Sequence, residues 1–92
     1  MIEPIRVGHG LGAEEARRRV EQLATRHGVR ITPDASGLSG GLETRAPLLG
    51  TVRARYAIAA DSLELEVVQA PGFLPAGALR RRLEEELTRA LA

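Results

Sequence analysis

The sequence predicts an α+β fold of order β-α-β-β-β-β-α, a curved antiparallel sheet with two helices packed on one face, and three observations carry that reading. Apolar residues from Ala13 to His27 recur in steps of three and four, the period of a helix face. Val52 to Ile58 and Leu63 to Val67 alternate with polar or small residues, the period of half-buried strands. Leu79, Leu83, Leu87, Ala90 and Leu91 then restore the helical period at the end of the chain. Ninety-two residues suit a single domain over 1–92, burying about two-thirds of its unfolded surface around one thin core.

In chain order, Ile5 and Val7 alternate with Arg6 and Gly8 as a short first strand, ended by His9-Gly10-Leu11-Gly12. Residues 12–27 read as a helix, with Glu14 and Glu15 opposing the dipole in its first turn and Gly28 as its stop. Val29 to Thr32 read as a second strand broken at Pro33, which lacks an amide donor. The run from Asp34 to Gly41 gathers turn formers over a stretch too long for a tight hairpin and reads as a mobile loop. Leu42, Thr44 and Ala46 make a weak third strand. A turn at Asp61-Ser62 joins the two strongest strands, placing Tyr56, Ile58, Leu63 and Leu65 on one face and setting Arg53 and Arg55 across from Glu64 and Glu66 on the other. The last helix starts near Pro75. Together these elements describe a TBP-like arrangement.

Composition excludes several functions. With no Cys there is no disulfide, thiolate zinc site or thiol nucleophile. Thirteen Arg, no Lys and twelve acids leave a formal charge of +1, so the net field that drives nucleic-acid binding is missing. Arg17-Arg18-Arg19 and Arg80-Arg81-Arg82 each have glutamates within a helical turn and read as compensated, solvated faces. The start of the chain lacks the basic and apolar regions of a secretory signal, and no run approaches a membrane span, so a cytoplasmic protein is expected.

No catalytic, cofactor-binding or metal-ligating set is expected. His27 stands at a helix end, where a cation complements the dipole. Two histidines without Cys or a carboxylate at ligand spacing do not make a zinc site. Ser36, Ser39 and Ser62 occupy turns without a nucleophile elbow. His9, Gly10 and Gly12 form a weak candidate anion site, because two glycines free amides ahead of a helix N-terminus. In the segment from Ala70 to Pro75, Phe73 and Leu74 either plug the end of the core or form an exposed apolar lip, and they are the candidate partner-contact residues.

The block His9-Gly10-Leu11-Gly12-Ala13-Glu14-Glu15-Ala16-Arg17, followed by Gly50 before the strong strand, Leu63-Glu64-Leu65-Glu66, and Gly72-Phe73-Leu74 before an amphipathic helix, resembles the polyhydroxyalkanoic acid system proteins. The resemblance runs nearly end to end. It implies a non-enzymatic accessory role at the polyester storage granule, with the granule surface or its proteins as partners, and it assigns no catalytic residues. Thr32 to Gly37 replaces the Trp with Gly-Asp common in that family. Two other readings stay open: a self-associating module forming a homodimer, because a thin core gains stability by oligomerising, and a small-molecule carrier with an anion at the first helix.

Overall fold

A computed structural model describes residues 4–46, 50–71 and 75–92. The elements are β1 (Ile5–Gly8), α1 (Ala13–Arg26), β2 (Arg30–Pro33), β3 (Ser39–Ala46), β4 (Gly50–Ile58), β5 (Ser62–Gln69) and α2 (Ala76–Ala90). The five strands form one antiparallel sheet in the order β1-β5-β4-β3-β2. This is the expected succession of elements, and the strand order adds that the first strand lies beside the last.

Period-2 alternation puts one row of aliphatic residues under the helices. Ile5 faces Leu65, which faces Tyr56, while Val7 faces Leu63, which faces Ile58. All six are buried, Ile5 and Leu63 completely. From α1, Ala16 and Val20 enter this core with Ala24 buried beside them, and from α2 Leu87, followed by Leu91 just past its end. The helices run antiparallel. Arg19 of α1 donates to the carbonyl oxygens of Ala90 and Ala92 at 3.2 and 3.1 Å, and His27 at the other end of α1 lies beside Glu86. Arg19 thus satisfies carbonyls that the end of α2 would otherwise leave unpaired. At the end of α1, Gly28 takes φ 68°, and Val29 N–H donates to the Ala24 carbonyl at 2.8 Å, so the expected stop is made by glycine.

The opposite sheet face carries rows of opposed charge: Arg30, Glu43 and Arg53 in one, Arg55 and Glu66 in the next, Arg6 and Glu64 in a third. Among the described residues no helix covers it.

The structure corrects three local expectations. The run from Asp34 to Gly41 is a tight hairpin, with β3 beginning at Ser39. Asp34 builds the turn: its carboxylate accepts from the amides of Ser36 and Gly37 at 3.0 and 3.1 Å, from the Ser36 hydroxyl at 2.7 Å and from the Ser39 hydroxyl. Gly40 belongs to the ladder. A Cβ there would collide with the Thr32 carbonyl oxygen and lie 2.8 Å from Pro33 Cα, so close strand approach, not a turn, requires glycine. Pro33 accordingly stays within β2, which is an edge strand where a missing donor is tolerated. Finally, Arg55 does face Glu66, but Arg53 faces Gln69. Val68 is an extra residue of β5 at a register shift beside Ala54, and Arg53 is left to pair with Glu43 at 3.4 Å.

Gly40→Ala is therefore expected to cost about 1–3 kcal/mol in urea unfolding, the range of an overpacked site. Gly10→Ala, whose Cβ meets nothing within 4 Å, should change stability by less than ~0.5 kcal/mol. Equal effects would refute the close-approach account.

A pH experiment tests the turn. Hydrogen bonds from Ser39 and then Ser36 hold the Asp34 carboxyl below its ordinary 3.8, at about 2. Because the folded value is the lower one, its stabilising contribution is complete above the unfolded value and is lost as pH falls from about 4 towards 2. The thermal midpoint should drop less steeply through that window in Asp34→Asn than in the parent. Identical slopes would show that the turn draws nothing from the ionised carboxylate.

Candidate functional site

Helices α1 and α2 do not seal the whole apolar face of the sheet. Beside the packed core they leave a cleft of about 240 Å³. Its floor is Leu42 and Thr44 of β3 with Val52 and Ala54 of β4. One wall is Val20, Leu23 and Ala24 of α1, and the other is Leu83 and Leu87 of α2. The space exists because Ala24, Thr44 and Ala54 are small at positions where the core elsewhere has Leu, Ile or Tyr. An apolar cavity of about 150 Å³ already admits benzene.

Charged side chains stand at the rim: His27, Arg82 and Glu86; Glu43 borders the cleft from β3, but its side chain pairs with Arg53 on the opposite sheet face. Glu86 is only 18% exposed and has three basic neighbours. Its oxygens lie 3.5 Å from His27 Nε2, 3.5 Å from Arg82 Nε and 3.7 Å from Arg89 Nη1. At those separations the contacts are loose ion pairs, longer than well-formed hydrogen bonds. A second hollow of about 330 Å³ adjoins the cleft along the helix seam, sharing Leu23 and Glu86 with it and adding Arg19, Gln22, Arg26 and Arg89.

The sequence-based candidates fall elsewhere. His9 lies ahead of α1 and His27 behind it, separated by a 14-residue helix about 21 Å long, so they do not share a cavity. Within the His9–Gly12 turn, Leu11 N–H donates to His9 Nδ1 at 3.3 Å, and His9 N–H donates to the Asp61 carbonyl at 2.9 Å. The ring thus closes its own turn and occupies one of the amides that an anion would use. Glu14 and Glu15 complete the first turn of α1 with negative charge. The His9 Nε2 atom is buried without a partner among the described residues. Phe73 and Leu74 lie outside the described residues.

The Ser36 and Ser39 hydroxyls donate to the Asp34 carboxylate within the turn. Among the described residues no group of three or more His, Asp or Glu could hold a metal ion, and no helix is long and apolar enough to cross a membrane. Chemically, the cleft offers apolar contact inside and charge at its mouth. The pattern reading missed it because amphipathic periodicity marks which face a residue occupies and not whether the opposing side chains fill the space. The only trace in the sequence is the run of small residues, Ala24, Thr44 and Ala54, on core-facing positions.

The cleft divides the leucines of α2 into two kinds. Leu87 is 5% exposed and joins the core, so Leu87→Ala should cost about 2–4 kcal/mol in chemical denaturation. Leu83 is half-buried on the cleft wall, and Leu83→Ala should cost about 1 kcal/mol. A larger loss from Leu83 than from Leu87 would mean that the cleft is closed in solution. In comparisons with known proteins, no family model, no curated protein and no solved structure matches this chain.

Proposed function

We propose that this protein is a non-enzymatic binding module that holds an apolar group in the cleft between its helices and sheet, acting as an accessory of the polyester storage granule. The single observation behind the binding reading is the cleft itself, an aliphatic recess walled by Leu23, Leu42 and Leu83 and left half-exposed in a protein too small to waste apolar surface. The setting rests on the resemblance of His9 to Arg17, and of the segments after it, to the polyhydroxyalkanoic acid system proteins. The two fit physically, because a polyester surface presents alkyl and ester groups that a small aliphatic recess can take up.

Of the other readings, the anion carrier is weakened by the use of the Leu11 amide by His9. A dimer through the open sheet face would have to desolvate the rows of Arg and Glu there, at a cost that ion pairing barely recovers.

Co-sedimentation with isolated polyester granules tests the proposal. The parent chain should be recovered with the granules, and Leu42→Gln with Leu83→Gln should shift most of it to the soluble fraction while the far-ultraviolet circular dichroism stays unchanged. Phe73→Ser serves as a separate arm for the segment before α2. Recovery of the parent in the soluble fraction alone sinks the granule setting.

A further inference from the structure

We propose that the occupant of the cleft is an unbranched alkyl carboxylate, its tail between the helices and the sheet and its carboxylate at the seam where Arg82 and Arg89 meet Glu86. This rests on the apolar-binding reading above and adds the chemical class of the ligand. The cleft and the second hollow share Leu23 and Glu86 in their linings, so an aliphatic recess lies beside a polar one. That juxtaposition is the shape of an amphiphile site: one end excludes water and the other offers hydrogen-bond donors.

Charge selects the head group. Four arginines, Arg19, Arg26, Arg82 and Arg89, line the two hollows, and Glu86 is the carboxylate common to both. Glu43 is engaged by Arg53 from the open sheet face at 3.4 Å, and Arg19 by Glu15 at 3.0 Å. Glu86 therefore faces Arg82 and Arg89 alone among the carboxylates of the seam, and His27 adds to the positive side whenever it is protonated. The balance favours an anion. A guanidinium matches a planar carboxylate with two parallel donors, and the present contacts at 3.5 and 3.7 Å leave those donors short of ideal pairing. A ligand carboxylate can complete them without displacing a buried salt bridge, since the Arg82 and Arg89 side chains are 72% and 74% exposed.

Size selects the tail. At about 240 Å³ the cleft exceeds what benzene needs and falls below drug-sized pockets of about 300–1,000 Å³. One medium-length alkyl chain fits that interval.

The test titrates the 92-residue chain with decanoate, 1-decanol and decyltrimethylammonium, each below its aggregation threshold, following methyl shifts of Leu23, Leu42 and Leu83 by NMR. Decanoate should bind about three- to tenfold more tightly than decanol, with the preference shrinking at high salt. Glu86→Gln should tighten decanoate further and leave decanol unchanged. Arg82→Gln with Arg89→Gln should bring decanoate down to the affinity of decanol, and because these side chains are largely exposed the variant retains its fold. Equal affinities for decanoate and decanol in the parent, or tighter binding of the cation, overturn the head-group assignment and leave the apolar cleft standing. Failure of all three ligands to shift the cleft methyls overturns the binding reading with it.

Discussion

The fold depends on the pairing of β1 with β5. Four residues at the start of the chain must find a strand nearly sixty residues away, and that contact brings Ile5 and Val7 against Leu65 and Leu63. It also supplies the ground for α2, whose principal contact with the sheet is β1. Two aliphatic side chains thus seat both the edge of the sheet and the last helix. The chain has two aromatic residues, and among those described Tyr56 alone adds ring area to the core. Burial at about 25 cal/mol per Å² must therefore come from many small aliphatic contacts rather than a few large ones. Non-local pairing of this kind closes its loop before it gains its contacts, so β1 docks late in folding if the helix and the β4–β5 hairpin form locally first.

Charge plays a different part on each surface. Along α1, Arg17 binds Glu14 and Glu21 while Arg18 and Arg19 share Glu15, whose carboxyl these hydrogen bonds hold below the usual carboxylate range. These pairs are exposed and contribute little to stability. Arg19 is the exception, because its guanidinium also reaches the last carbonyls of α2 and so ties the two helices together across the seam. On the sheet face that no helix covers among the described residues, the rows of Arg and Glu keep the surface hydrated. On α2 the same residue types converge on Glu86, where they border an apolar recess instead of open water.

What the sequence made legible was whatever repeats. The periods of α1, β4, β5 and α2 survive because each element buries one face, and a shift by one residue would invert a strand and turn a helix by about 100°. Features that depend on single cross-strand relations were hidden. Gly40 and Gly41 look like turn residues until the carbonyl of Thr32 is seen to approach one of them, and a run of Asp, Ser and Gly looks flexible until one carboxylate is found to hold four donors. The partner of Arg53 turns on the extra residue Val68, which no alternation announces. The glutamate at the helix seam was visible only as one member of a compensated triplet, since its basic neighbours come from α2 and from His27 just past the end of α1.

The cleft itself follows from the thinness of the core. A sealed, empty apolar cavity of about 240 Å³ would cost about 6 kcal/mol at ~24 cal/mol per Å³, as much as the entire stability of many small domains, which is about 5–15 kcal/mol. The fold tolerates the space because the cleft is not enclosed but open to solvent at its rim. Wetted aliphatic walls are themselves unfavourable, and a guest that displaces the water recovers part of that energy without moving the backbone. Filling the space from within would have needed only a larger side chain at Ala24, Thr44 or Ala54. Small residues on the floor and on the α1 wall of one recess keep it accessible, and accessibility is what binding requires and stability does not.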